Sequence, residues 1–262
     1  MNDATRRALR SLNQRFYEER GLAFSRTREH HWPGWQRIAP HLERLASTHS
    51  PLRVLDVGCG NGRFAGFLAE QFQGSRHIHY SGVDASEALL KEARERETAD
   101  VKTHFSRGDF IEDPDSLPEG TFHAVVLFGV LHEVPGRANR QALVARLCES
   151  VARGGILVLA RWLFASRPRT RARILEWETW NKHASPVIDC AELEPGDALL
   201  PWQTPVEEAR RTPGTSDVRY AHAIDDLEMG AITRDLPLRR FDVFLEDGRE
   251  RNLNEYSVYR RV

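Results

Sequence analysis

Cysteine is scarce in this chain of 262 residues, with only Cys59, Cys148 and Cys190 present. These three lie far apart, and none belongs to a Cys-x-x-Cys pair. An odd number of isolated cysteines is not typical of a disulfide framework or of a cysteine-based zinc site. The sequence therefore predicts a protein of a reducing compartment with no metal site.

Long apolar segments are also missing. The longest apolar run, AVVLFGVL at 124–131, is far too short to span a bilayer. The N-terminus lacks the apolar core of a signal peptide, and its Asp3, Glu18 and Glu19 are atypical of a transit peptide. We therefore expect a soluble, cytoplasmic protein that does not contact a membrane.

A strong net charge is absent as well. The 37 basic and 38 acidic side chains give a formal net charge of −1, so the molecule as a whole does not attract polyanions. Charge is uneven along the chain, however: 161–173 holds five arginines and no acid, whereas 185–208 holds six acids and no base. Such runs are typical of solvated faces, and a polyanion- or partner-binding surface is the alternative.

Short apolar runs alternate with helical patterns through the middle of the sequence. Strands are predicted at 52–57, 77–84, 102–108, 123–130, 154–161, 239–248 and 253–262. Helices are predicted at 62–73, 86–97 and 137–152. This alternation is typical of a parallel sheet with helices on both faces, and the last two strands are expected to form an antiparallel hairpin. We predict an α/β, Rossmann-like fold with a mostly parallel seven-stranded sheet.

Two segments fall outside this alternation. Residues 1–45 are predicted to form one or two helices, with an aromatic-rich joint at 24–35. Residues 162–225 include a stretch rich in proline, glycine and acids, which is typical of a lid or a binding loop. We predict an N-terminal helical cap at 1–45 and one domain at 46–262, with a lid-like insertion at 162–225.

The stretch DVGCGNG, at 56–62, is the most informative in the chain because it follows one apolar run and precedes another. A Walker loop is excluded because no Gly-Lys-Ser/Thr sequence ends it, and a dinucleotide fingerprint is excluded because Arg63 stands where its third glycine belongs. The observed pattern, Gly-x-Gly-x-Gly after Asp56, resembles the first motif of class I S-adenosylmethionine-dependent methyltransferases. That resemblance implies a turn whose backbone approaches a nucleoside with an amino-acid tail.

Three further motifs, which contain Asp84, Asp109 and Phe128, continue this resemblance. Asp84 follows the next strand, where a carboxylate binds ribose hydroxyls in related sheets; the alternative of a helix N-cap is open to Asp84 or to Ser86. The resemblance assigns the adenine amino group to Asp109. The cofactor-binding residues that it implies are Arg28, Trp32, Asp56, Gly58, Cys59, Gly60, Gly62, Asp84, Ala85, Asp109, Phe110, Phe128 and Gly129.

The flanking segments resemble one subgroup, the tRNA methyltransferases that esterify a carboxymethyl group on wobble uridine. FSRTREHHWPGW at 24–35 is similar to an N-terminal signature of that family. PGDALLPWQ at 195–203 and RYAHAI at 219–224 are similar to later segments, in the same order. Members of the family usually carry a second histidine where this chain has Glu133.

The resemblance also implies roles for individual side chains. Arg28 would pair with the carboxylate of the cofactor's methionine tail, and Trp32 would close over it. His132 would orient the acceptor or act as a base, or alternatively would hold its loop through a backbone carbonyl. The residues predicted to contact the acceptor are Arg161, Trp202, Arg219, Tyr220 and His222.

Three functional hypotheses follow from these motifs. The first is a methyltransferase acting on tRNA wobble uridine, for which a carboxylate acceptor needs no general base at neutral pH. The second is an enzyme of the same fold that methylates a small-molecule carboxylate, hydroxyl or amine. The third is a cofactor-binding scaffold without turnover. The first hypothesis also implies a small activating partner protein, as in the family that the flanks resemble.

Overall fold

The computed structural model describes residues 1–27, 29–73, 77–96, 100–182, 184, 187–211 and 217–262. The large sheet consists of β1 Leu52–Val57, β2 Ile78–Asp84, β3 Val101–Arg107, β4 Phe122–Phe128, β5 Val151–Trp162, β8 Leu238–Glu246 and β9 Asn254–Arg261. A small separate sheet consists of β6 Asp197–Pro201 and β7 Val218–His222. The helices are α1 Asp3–Arg26, α2 Pro33–Ala46, α3 Arg63–Gln71, α4 Glu87–Glu95, α5 Arg137–Ser150, α6 Pro168–Arg171, α7 Trp177–Asn181, α8 Val206–Arg211 and α9 Asp226–Thr233.

The large sheet has the order β3-β2-β1-β4-β5-β9-β8. Strands β1 to β5 are parallel, and β9 runs antiparallel to both β5 and β8. The predicted fold class is confirmed, including the C-terminal antiparallel hairpin. The strand order reverses at β1, because β2 and β3 are added on one side of it and β4 and β5 on the other; the loops after β1 and β4 therefore diverge and leave a crevice between them.

Each face of the sheet is buried because its central strands are apolar at successive positions. Val54 packs with Ile38 of α2 and Phe64 of α3 on one face, whereas Leu55 packs with Leu143 of α5 on the other. A parallel strand covered on both faces reads as a continuous apolar run in the sequence. Among the described residues, none of the helices is long and apolar enough to cross a bilayer.

The segment at 162–225 is more regular than its composition suggests. Its strands β6 and β7 pair antiparallel, and Leu199 and Tyr220 pack with Leu9 of α1 in a small apolar cluster. Asn13 of α1 accepts a hydrogen bond from the backbone N–H of Tyr220 at 2.8 Å and donates one to its carbonyl oxygen at 3.1 Å. Helix α1 therefore packs against the segment that the sequence describes as an insertion.

Candidate functional site

A cavity of about 1130 Å³ lies at the carboxyl ends of the central strands. Its wall is formed by the glycine turn after β1, the loops after β2, β3 and β4, helix α1 and the turn between β8 and β9. This location is where ligands bind in open α/β sheets. The cavity is large enough for a nucleotide-sized ligand together with a second small group.

The glycine turn approaches the cavity with backbone atoms. Gly58 and Gly60 both have positive φ angles, of 76° and 54°. A Cβ at Gly58 would lie 2.3 Å from Val130, whereas a Cβ at Gly60 would meet nothing within 4 Å. Glycine at position 60 therefore leaves open space in the cavity next to the backbone, and a ligand can approach the main chain there.

Asp84 lies at the end of β2 on the cavity wall. Its carboxylate accepts hydrogen bonds from the backbone N–H groups of Gly60 at 2.8 Å and Ser86 at 2.9 Å. Burial raises the pKa of this carboxyl, and the backbone hydrogen bonds from Ser86 and Gly60 oppose that rise. The N-cap of α4 is Ser86, whose hydroxyl accepts from Leu89. Asp84 is therefore not needed as a helix cap and lies beside the glycine turn.

Asp56 and Gly62 are two predicted cofactor residues that do not form part of the cavity wall. Asp56 is only 3% exposed beneath the turn, where it accepts a hydrogen bond from the Tyr80 hydroxyl at 2.5 Å. Burial raises the pKa of Asp56 to about 7, and the charge of Asp84 adds to this effect. Asp56 thus supports the turn from the core, whereas Gly62 caps α3 with a φ of 75° and packs closely against Ala93 of α4.

The loop after β3 brings Asp109 and Phe110 to the cavity, where Cys59 and Ala85 lie as well. Phe110 is buried in the core with Leu117, so its position is fixed by packing. Asp109 accepts a hydrogen bond from Arg10 of α1 at 2.6 Å. No pattern in the sequence indicates that the first helix reaches this loop.

Trp32 lies over the end of β4. Gly129 has a φ of 68°, and a Cβ there would lie 3.0 Å from the Trp32 ring. The centroids of the Trp32 and Phe128 rings are 6.4 Å apart, and both residues line the cavity. Trp32 and Phe128 thus form an aromatic part of the cavity wall, whereas Arg28 lies outside the described residues.

Asp247, at the turn between β8 and β9, is a cavity residue that sequence reasoning missed. It is buried with a φ of 69°, a conformation uncommon for a residue with a Cβ. Its carboxylate accepts from the backbone N–H of Gly34 and from the Asn254 amide, each at 2.9 Å. These bonds tie the start of α2, next to Trp32, to the sheet. The Asp-Gly pair in the sequence indicated only a hairpin turn.

The opposite end of the cavity is built around Arg219 from β7. Its guanidinium carbon lies 5.0 Å from the ring centroid of Phe24 and 5.1 Å from that of Trp162. Glu133 accepts from Arg219 at 3.3 Å and from the Tyr17 hydroxyl at 2.5 Å. The result is a cation framed by aromatic rings and held beside a carboxylate.

Two other predicted residues lie at this end. Trp202 lines the cavity and packs against Phe24, with ring centroids 5.6 Å apart. His132 is buried on the wall, with its ring 5.3 Å from that of Trp162 and its Nε2 3.8 Å from Glu133. Its role toward an acceptor stays a prediction.

The structure places Tyr220 and His222 away from the cavity, which corrects their predicted contact with the acceptor. The Tyr220 hydroxyl donates to Asp197 at 2.7 Å. His222 is held between Asp197 at 2.7 Å and Glu228 at 2.8 Å, and these two hydrogen bonds raise its pKa against the opposing effect of burial. Both side chains point into a polar network because alternate residues of a strand face opposite sides, and Arg219 takes the cavity side.

Arg161 is corrected in the same way. Its guanidinium donates to Glu255 at 2.8 and 3.0 Å and to the carbonyl oxygen of Ile224 at 3.0 Å, and it also contacts Asp226. It does not line the cavity. These partners satisfy a buried cation between β5, β9 and α9.

One cluster among the described residues brings together side chains that can ligate a metal: Glu194, Asp197 and His222. Arg140, however, lies 2.6 Å from Glu194 and supplies positive charge there already. We therefore assign no ion to this cluster.

Part of the chain is similar to known proteins. Residues 54–155 match the family model described as a methyltransferase domain. The chain is 34% identical over 127 residues to trans-aconitate 2-methyltransferase of Acidovorax ebreus, covering 47% of this chain and 44% of that one. It is 26% identical over 165 residues to a tRNA (carboxymethyluridine(34)-5-O)-methyltransferase of Arabidopsis thaliana, covering 62% and 35%. The matches thus span about half the length of the curated relatives, or less.

Solved structures share the whole fold. An amino pentose methyltransferase from Micromonospora echinaspora, solved with S-adenosylmethionine bound, aligns with a TM-score of 0.55 at 19% identity and covers 92% of this chain and 96% of that chain. This likeness concerns the fold. Together with the family match, it confirms the resemblance predicted from the glycine turn: residues 54–155 are a methyltransferase domain, and the chain has the class I, S-adenosylmethionine-dependent methyltransferase fold.

Proposed function

We propose that this protein transfers a methyl group from S-adenosylmethionine to a carboxylate and so forms a methyl ester. The observation that carries this proposal is Arg219, a nearly buried guanidinium on the wall of the cavity that holds the glycine turn. A guanidinium is the side chain best suited to bind a carboxylate through paired hydrogen bonds. The aromatic rings of Phe24 and Trp162 limit its freedom to move.

The residues around the cavity fit the cofactor. Asp84 and Asp109 both line the cavity, and we assign the ribose hydroxyls to Asp84 and the adenine amino group to Asp109. Open space beside Gly60 leaves room for close approach of the backbone. S-adenosylmethionine supplies a methyl group already activated on a sulfonium. The chain's own residues then need to align the acceptor and exclude water, because in-line displacement depends mostly on geometry.

Two groups of relatives support a carboxylate acceptor. One is named for trans-aconitate and the other for carboxymethyluridine, and both compounds carry a carboxylate. A carboxylate is ionised at neutral pH and needs no base to become nucleophilic. His132 lies beside Trp162 and Glu133, and this chemistry does not require it to remove a proton from the acceptor.

tRNA as the carrier of this carboxylate is the more specific part of the proposal. It is supported by the flanking sequence matches and by two exposed arginines, Arg169 and Arg171, on either side of Thr170 at the cavity wall. Arginines at such a rim would contact backbone phosphates, with an affinity that depends on salt. A cytoplasmic location and a small activating partner belong to the same proposal.

A small-molecule acid is the second candidate. It is favoured by the position of α1, whose residues Arg10, Asn13 and Tyr17 form part of the cavity wall and leave less room for a large acceptor. The near-zero net charge of the chain supports it as well. In this case the arginines at the rim would be a solvated face.

The test is methyl transfer from radiolabelled S-adenosylmethionine into extract, with tRNA, protein and small molecules counted separately. Label in tRNA that is released by mild base supports the tRNA ester, and base-labile label in small molecules supports the second candidate. The Arg219→Met variant should lose the label, whereas Arg146→Met on the outer side of α5 should keep it. Base-stable label in every fraction would refute ester formation.

A further inference from the structure

One arginine from the first helix reaches the predicted adenine end of the cavity. Arg10 donates from Nη2 to Oδ2 of Asp109 at 2.6 Å and contacts the carboxylate of Glu112 through Nη1. It is 9% exposed and lines the cavity. It lies outside the matched segment 54–155, so no family resemblance assigns it a role.

The position of Arg10 is fixed by its neighbours on α1. Leu9 is fully buried in the cluster that joins α1 to the small sheet, and Asn13 makes two hydrogen bonds to the backbone of Tyr220. The helix backbone is thus held on both sides of Arg10. Two carboxylates then hold the guanidinium itself, and hydrogen bonds between charged groups are among the strongest in proteins.

This contact leaves one oxygen of Asp109 available. The Asp109 side chain is 39% exposed, and among the residues that the structure describes no group donates a hydrogen bond to its Oδ1. A carboxylate at that exposure rotates readily unless a partner fixes its plane. With Oδ2 bound to Arg10, the carboxylate is pre-organised and Oδ1 can bind a donor with less loss of freedom.

We propose that Arg10 is a positioning residue of the adenine subsite. It orients Asp109 so that Oδ1 accepts the exocyclic amino group of the base; this inference rests on the proposed assignment of Asp109 to adenine. A carboxylate oxygen attracts an amino group and repels a carbonyl oxygen at the same place. Arg10 therefore contributes to the preference for adenine over hypoxanthine, and the N-terminal helix is part of cofactor recognition.

The experiment compares the binding of S-adenosylhomocysteine with that of S-inosylhomocysteine, in which a carbonyl oxygen replaces the amino group. Calorimetry gives, for the wild type and for Arg10→Met, the ratio of the dissociation constant of S-inosylhomocysteine to that of S-adenosylhomocysteine. Methionine keeps an unbranched apolar side chain and removes the charge and the hydrogen-bond donors. We expect the preference for the adenine compound to fall by about five- to tenfold in the variant, which is the value of one fixed hydrogen bond.

Arg6→Met is the matched control. Arg6 lies one turn earlier on α1 and also donates to Glu112, at 3.1 Å, but it contacts neither Asp109 nor the cavity. Its substitution should leave the ratio within twofold of the wild type. Asp109→Asn is the second control, and it should lower the ratio at least as far as Arg10→Met because an amide can also donate to the carbonyl oxygen.

The outcomes separate the two proposals. If Asp109→Asn lowers the ratio and Arg10→Met does not, the positioning role of Arg10 is refuted while Asp109 keeps its assignment. If neither variant changes the ratio, Asp109 does not bind the base. No binding of S-adenosylhomocysteine to the wild type would refute both. Arg10→Lys replaces Arg10→Met if the Met variant does not fold. A single ammonium group then takes the place of the planar guanidinium, and we expect the preference for the adenine compound to fall about threefold.

Discussion

The clearest test of the glycine turn is Gly60→Ala. Gly60 has a φ of 54°, so an alanine there would be strained by about 1–2 kcal/mol. In a chain of this size each kcal/mol lowers Tm by roughly 2–4 °C. The added methyl would meet no protein atom within 4 Å and would project into open space on the cavity wall. The fold should therefore survive, with a modest loss of stability.

Cofactor binding should be affected much more strongly by the same methyl group. Forcing a methyl into a filled contact costs about 1–3 kcal/mol, which weakens Kd about five- to hundredfold. Gly154→Ala is the matched control, because Gly154 has a φ of 77°, also meets nothing within 4 Å and lies on the surface away from the cavity.

Thermal melts and calorimetry with S-adenosylhomocysteine measure both effects. The two variants should lose similar amounts of Tm, and only Gly60→Ala should lose affinity. Equal affinity of both variants for S-adenosylhomocysteine would refute the placement of the cofactor against the turn.

Three further predictions concern buried carboxylates and their partners. Burial raises the pKa of Asp56 from 3.8 to about 7, so the folded state binds a proton there more tightly than the unfolded state does. The contribution of Asp56 to stability is therefore lost as pH rises from 3.8 to about 7. Urea melts should show that Asp56→Asn weakens this pH dependence. His222→Gln should lower the free energy of unfolding by about 1–3 kcal/mol, because glutamine cannot replace both hydrogen bonds to Asp197 and Glu228, while Arg140 stays beside Glu228 at 2.6 Å; a loss under about 0.5 kcal/mol in urea melts would contradict this. The raised pKa of His222 also predicts that its contribution is lost as pH rises above 6.5 through the raised value, so the gap to the variant should narrow at high pH. Asp247→Gly relieves the strain of the positive φ but removes the hydrogen-bond acceptor of the Gly34 N–H group. Trp32, which is close to Gly34, should then be held less firmly, and S-adenosylhomocysteine should bind more weakly. Unchanged affinity in calorimetry would show that Trp32 is held by other contacts.

The sheet could be predicted from the sequence because its signals are local. Val54 and Leu55 before the glycine turn, and the residues at 124–128, are apolar at consecutive positions, which indicates strands buried on both faces. The glycine turn is recognisable for the same reason, since each glycine supplies a backbone conformation that depends on its immediate neighbours.

Contacts between distant segments could not be predicted in this way. Arg10 and Asp109 are 99 residues apart, and Gly34 and Asp247 are 213 apart, so no periodicity links them. The sequence predicts that both Arg219 and His222 contact the acceptor, but alternation along β7 sends Arg219 to the cavity and His222 to a polar network. Which face of β7 meets the cavity depends on α1, because α1 packs against β7 although the two are distant in the sequence.

The pairing of α1 with β7 has a consequence for synthesis. Asn13 and Tyr220 are 207 residues apart, so at about 5–20 residues per second the first helix waits roughly 10–40 s on the ribosome before its partner strand emerges. Strand β9 follows β8 in the chain but lies between β5 and β8 in the sheet, so that edge of β5 stays unpaired until β9 emerges. Such non-local pairing is slow, and the unpaired edge of β5 is open to aggregation meanwhile. We expect chaperones to bind the nascent chain until β9 has emerged.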